Sequence, residues 1–197
     1  MAATGVSSRG LSTGVATPST VAWPTGWWAL GIGRIIIGYL WFQQTLWKLP
    51  PDFGSPGGCP TSLSAKHLGG LCDWMHREAA HAYVPLYGSF VQDVAIPNFG
   101  LFGSVTWLTE TALAISLVLG LLGRLGGLVA TLWAINLTIG LWAVPGEWYW
   151  TYVMLALLNA VFFATAANRY IGVDLFLRRY ALSGPRTPIK RLIALAS

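Results

Sequence analysis

Charge is scarce in this chain. Only 10% of its 197 residues are Asp, Glu, Lys or Arg, against roughly 25% in soluble domains. That shortage, with 54% hydrophobic residues and a mean hydropathy of +0.57, excludes a soluble globular enzyme. It also excludes a disordered chain, which needs low hydrophobicity and high charge. Cysteine is sparse too, and two residues cannot build a disulfide-framework mini-protein. No phosphate-binding glycine loop, dinucleotide fingerprint or nucleophile elbow occurs. His67, His76 and His81 all lie outside the long apolar runs, so no histidine offers itself for haem within a span. The net charge of +5 does not signal nucleic acid. The cations sit at the ends of apolar runs and form no basic patch with stacking aromatics.

What the chain does have is length of apolar run. A bilayer core about 30 Å thick needs roughly 20 apolar residues as a helix. Four stretches qualify, at about 27–47, 99–122, 125–144 and 150–168. Gly123 and Arg124 form a tight link between the second and third, and Pro145, Gly146 and Glu147 form another before the fourth. The expected fold is an all-α integral membrane protein, a four-helix antiparallel bundle. It carries an extended extracytoplasmic loop (49–98) and a basic C-terminal interfacial segment. Residues 1–25 read as a flexible tail, 26–180 as the membrane domain and 181–197 as a basic tail.

Cations set the orientation. Eight of the twelve Lys and Arg, namely Arg9, Arg124, Arg169, Arg178, Arg179, Arg186, Lys190 and Arg191, fall on the side shared by both termini. Both termini are therefore expected in the cytoplasm, with the chain multi-pass in the inner (plasma) membrane. The segments 173–180 and 189–195 are basic and partly apolar. They fit either an interfacial anchor on anionic lipid or a solvated basic tail. In the outer loop, Asp73 is expected to cap a short helix running to about Tyr83, and 83–94 to lie on the membrane surface.

Polar residues within the spans are the informative ones, because an ionisable group at depth is costly and usually faces a partner. Counted at 1.5 Å per residue from the cytoplasmic side, Arg34 lies about 10 Å deep, Glu110 about 18 Å, Asn136 about 16 Å and Asn159 about 13 Å. Each of the four spans thus contributes one polar residue to a narrow band, and Arg34 is long enough to reach Glu110. The arrangement fits either a packing lock between helices or a site for a polar headgroup such as a quinone. In the second case Glu110 and Arg34 are the catalytic candidates, with Lys48, Gln44, Asn136 and Asn159 as substrate contacts. Lys48, near Gln43 and Gln44 at the outer end of the first span, is either a snorkelling anchor or a contact for an anionic substrate. Cys59 and Cys72 share the outer loop, where a disulfide is permitted. Free thiols, a redox pair or a weak metal site with His76 are the alternatives. No metal is expected.

Several pieces, in order along the chain, resemble the DoxX/DoxD family of small four-helix membrane proteins. They are the first span from Arg34 through Gly38 to Trp47 and Lys48, and Pro97, Asn98 and Phe99 ahead of Glu110. The run from Glu110 to Gly120, Gly123 and Arg124 follows, then Asn168, Arg169, Tyr170, Gly172 and Asp174. The resemblance covers about residues 27–180. The long cysteine-bearing loop departs from short-loop members, and Gln44 and Thr45 stand where the family often has Gly. The resemblance implies a redox subunit of the thiosulfate:quinone oxidoreductase type, oxidising thiosulfate or thiols with quinone as acceptor. It marks Arg34, Lys48, Glu110, Arg124 and Asp174. Membrane lipid and other membrane subunits are the implied partners. The alternative is a non-catalytic accessory subunit of a larger respiratory or photosynthetic complex. In that case Gly120, Gly123, Gly126 and Gly127 would offer a close-approach face to neighbours.

Overall fold

The computed structural model describes residues 27–62, 69–169, 171–185 and 187–197. The expected N-terminal tail, and with it Arg9, lies outside the described residues, as do Lys66, His67, Tyr170 and Arg186. Every regular element among the described residues is helical. They are α1 (Trp27–Leu46), α2 (Gly70–His81), α3 (Pro85–Phe90), α4 (Phe99–Leu119), α5 (Gly123–Leu141), α6 (Tyr149–Thr165), α7 (Asp174–Leu182) and α8 (Pro188–Ala196). A π-helical turn (Val91–Ala95) links α3 towards α4, and a 3-10 turn (Ala167–Arg169) follows α6.

Two helices, α4 and α5, are long and apolar enough to cross a membrane, and most of each lies on the outside of the fold. Leu101, Leu108 and Leu132 are each more than half exposed. A helix of a water-soluble core would turn such residues inward.

The buried stripe of α1 is Gly31, Arg34, Gly38, Trp41 and Thr45. The steps of three and four residues place them on one face, which packs on α4. Gly38 makes this approach close: a Cβ there would stand 2.8 Å from the Val118 backbone nitrogen. The buried face of α5 is lined with small residues, Gly123, Gly126, Gly127, Ala130 and Ala134. They admit α6, where a Cβ on Gly127 would meet the Phe163 nitrogen at 2.8 Å. This is the packing that apolar helices use when solvent exclusion gives little drive. The glycines singled out as a face for neighbouring subunits are therefore filled from within. Gly120 lies against Arg34 and Gly172, Gly123 against Asn168, Gly126 against Ser116 and Gly127 against Phe163.

The link between α4 and α5 is the turn 120–122, with Gly120 and Leu122 left-handed. Arg124 accordingly sits in the first turn of α5 rather than in a loop. Gly suits the Gly120 position because a left-handed residue closes a helix C-terminus without Cβ strain.

The described part of the segment between α1 and α4, expected above to be an outer loop, is structured. α2 starts at Gly70, earlier than Asp73 suggested, and Asp73 instead pairs with Arg77 one turn on at 2.8 Å. Phe53, Leu71, Met75, Val91, Ala95 and Ile96 form a second small core beneath it. Cys59 and Cys72 are joined as a disulfide, which ties the segment after α1 to the start of α2. Both thiols are thereby consumed, so the grouping of Cys59, Cys72 and His76 has no thiolate to give a metal. The His76 Nε2–H donates to the Pro60 carbonyl at 2.8 Å. At the other end, the expected basic tail (181–197) is partly helical, with α8 folded against α7.

Candidate functional site

Arg34 and Glu110 do not meet. Arg34 reaches along α1 to the C-terminal end of α4, where its guanidinium donates to the Leu117 carbonyl and, at 2.5 Å, to the Ile171 carbonyl. The physical reason is that the last turn of a helix leaves carbonyls without an intrahelical partner. A cation is also favoured at that end of the dipole. Asp174 completes this cluster. It accepts from the backbone N–H groups of Leu122 (2.7 Å) and Gly123 (2.8 Å) at the start of α5, and from the Asn168 amide. The chain around it bonds back to the same turn, Val173 N–H to Leu119 and Asp174 N–H to Gly120, both at 3.0 Å. Arg34 and Asp174 are both almost fully buried. All these partners belong to the chain itself, so Arg34 is a structural residue here and not part of an open site.

Glu110 takes a different partner. Lys48, just past the end of α1, bends inward and sets its ammonium 2.8 Å from Oε1 and 2.6 Å from Oε2 of Glu110. The residues are 4% and 2% exposed, which overturns a snorkelling Lys48 at the surface and leaves it no free charge for an external anion. The ammonium also lies 4.6 Å from the centre of the Trp47 ring.

This pair forms part of the wall of a cavity of about 1100 Å³. Its walls are mainly aromatic and aliphatic, drawn from α1 (Trp41, Gln44), α4 (Phe102, Glu110), α5 (Trp133, Asn136), α6 (Leu155) and the loop helices α2 and α3. Gln44, Lys48, Glu110 and Asn136 are thus brought together as the sequence suggested. Asn159 is not among them. It is fully buried in α6, and its amide N–H donates to the Leu155 carbonyl one turn back at 2.8 Å, a local bond within its own helix.

Several polar groups of the cavity were not singled out from sequence as site residues, Glu78 and Tyr87 foremost among them. α2 presents Trp74, Met75 and Glu78 to it, and α3 presents Tyr87. The Tyr87 hydroxyl donates to Glu78 Oε2 at 3.3 Å, and Asn136 stands beside it. Both side chains lie against Gly140 of α5, where a Cβ would come within 2.9 Å of the Glu78 carboxyl carbon. Burial pushes the Glu78 carboxyl up to about 7, against the opposing pull of the Tyr87 hydroxyl and the Lys48 ammonium. Tyr87 is pushed up as well, first by burial and then by Glu78, so its phenol stays protonated at neutral pH. The missed signal was spacing: Leu71, Met75 and Glu78 recur at four and three residues, one face of α2.

The arrangement has the makings of a ligand site: a large, mostly apolar concavity with a few convergent polar groups. No family model, curated protein or solved structure matches the chain.

Proposed function

We propose that the chain is a four-helix antiparallel membrane protein of DoxX/DoxD type that binds a quinone in this cavity and serves quinone-linked oxidation of thiosulfate or a thiol. In this reading α1, α4, α5 and α6 span the inner membrane. The α4–α5 turn, α7 and α8 lie at the cytoplasmic end with most of the cations, and α2 and α3 cover the outer end. The mostly exposed apolar faces of α4 and α5 support this placement.

The observation that carries the functional reading is the buried Lys48–Glu110 pair in the wall of an aromatic cavity. A buried ion pair adds little net stability, because desolvation offsets the attraction. Its retention in the wall of a cavity is better explained by a ligand. Flat aromatic walls suit a quinone ring, and the Lys48 ammonium can donate to a quinone carbonyl. Two thiosulfate anions give one tetrathionate and two electrons, and a quinone takes two electrons and two protons to become a quinol. Electron delivery is assigned to a companion subunit at the outer face. The glycine face that the accessory-subunit alternative drew on is occupied within the chain, while its other support, the eleven tryptophans, is untouched by this.

The test is Glu110→Gln in the full chain, purified gently with whatever accompanies it and assayed for thiosulfate-dependent quinone reduction. Loss of turnover in a monodisperse, folded variant is expected. Unchanged turnover would remove Glu110 from the mechanism.

A further inference from the structure

The cavity wall carries three carboxyl groups. Glu147 accepts from the Tyr152 hydroxyl at 2.7 Å, and the surroundings of the other two, Glu110 and Glu78, differ. Both oxygens of Glu110 lie within 2.8 Å of the Lys48 ammonium in a direct ion pair. Among the described residues Glu78 has no such partner. There its side-chain hydrogen bond is the 3.3 Å contact from the neutral Tyr87 phenol, and it feels Lys48 only at a distance. It is also the carboxyl that comes from outside the bundle, on a helix fastened by the Cys59–Cys72 disulfide and seated against Gly140.

We propose that the two acids divide the work: the Lys48–Glu110 pair recognises the headgroup of the bound quinone, while Glu78, backed by Tyr87, exchanges protons between that headgroup and the outer aqueous side. The assignment rests on the quinone reading of the cavity and adds the identity of the proton-exchanging group. A carboxyl serves this role best when it gains and loses its proton near working pH, and burial puts Glu78 there. For quinone reduction, in which the companion subunit supplies two electrons, the protonated Glu78 gives its proton to one quinone oxygen and, after reprotonation, a second proton to the other. It is left as a carboxylate, stabilised by the Tyr87 O–H and the Lys48 field, and is reprotonated from outside. The other groups that face it are accounted for. Lys48 and Glu110 form one net-neutral pair. Tyr152 of α6 donates to Glu147 at 2.7 Å, and Asn136 of α5 does not titrate. On α2 itself Asp73 is paired with the exposed Arg77, His76 is bonded to Pro60, and His81 is exposed.

Two measurements on the full chain test this, and only the second needs quinone. In pH-difference infrared spectra of the quinone-free protein, a protonated-carboxyl band should titrate near neutral pH, vanish in Glu78→Gln and persist in Glu110→Gln. If the band survives Glu78→Gln, or is lost only in Glu110→Gln, the assignment is overturned whatever the cavity binds. In quinone-reduction assays, the wild-type rate should fall as pH rises through about 7. Glu78→Gln should lower kcat about a hundredfold with KM unchanged and abolish that inflection. Glu78→Asp should restore part of the rate together with the inflection. Tyr87→Phe, which keeps the carboxyl but removes the O–H that stabilises its charge, should move the inflection to higher pH. A pH profile that is the same in Glu78→Gln as in wild type overturns the proposal. Absence of quinone reduction in wild type overturns the quinone reading instead, and the infrared result still decides which carboxyl carries the proton.

Discussion

The two ends of this molecule each bury a cation and an anion, and they use them in opposite ways. At the end that holds the α4–α5 turn, the inner end in the proposed orientation, Arg34 and Asp174 do not pair with each other by direct contact. Each is spent on backbone groups that a helix terminus leaves unsatisfied: Arg34 on carbonyls at the end of α4 and beside Gly172, Asp174 on amides at the start of α5. At the outer end, Lys48 and Glu110 pair with each other and face a cavity. A charge that completes the backbone hydrogen-bond account is there to hold the fold. A charge pair beside empty volume satisfies nothing the backbone needs, which is why it points to a ligand.

Mutations can sharpen or break that contrast. The largest effect on stability is expected at the inner end. Asp174→Asn removes the carboxylate that two amides and Asn168 share and leaves buried donors poorly matched. A loss of about 3–5 kcal/mol is expected, read as a collapse of the thermal midpoint in detergent. Reduction of the Cys59–Cys72 disulfide comes next. The bridge spans 13 residues, so about 3 kcal/mol is expected by the loop-closure argument. The loss should be local to α2 and α3, visible as faster amide exchange there than in α4 or α5. Glu110→Gln should cost less stability than Asp174→Asn, about 1–2 kcal/mol, because the cavity lets water reach the orphaned Lys48. Its effect should fall on turnover instead. If Glu110→Gln unfolds the protein as Asp174→Asn does, the distinction between the two ends fails.

A further stability effect is the pH dependence contributed by Glu78. Its carboxyl lies near 4.5 in the unfolded chain and about 7 in the folded one. The folded state therefore holds the extra proton, and stability falls as pH rises between those values. The contribution is most favourable below about 4.5 and fully lost above about 7, at most about 3 kcal/mol. Glu78→Gln should flatten this slope, so that the wild type loses more of its thermal midpoint than the variant between pH 5 and 8.

Much of the architecture was legible along the chain. The helical segments begin and end within a few residues of the apolar runs, because long runs without charge admit few alternatives. α5 nevertheless starts at Gly123, since the turn is made by Gly120 and Leu122 rather than by Gly123 and Arg124. Estimates of depth gathered the right kind of residues into one band but paired them wrongly. Rise per residue gives height and says nothing of azimuth. It cannot reveal that Arg34 extends toward the end of α4 while Lys48 folds back to Glu110. Asn159 does not line the cavity.

The sequence by itself determined that the chain is helical and overwhelmingly apolar, and that its few internal charges and polar side chains had to find partners. Burying an ion without one costs several kcal/mol, so partners had to exist. Which partner each charge took was decided only in three dimensions. Free carbonyls at a helix end drew Arg34 away from Glu110. A disulfide and a glycine contact carried Glu78 from a loop far along the chain to the wall of the same cavity.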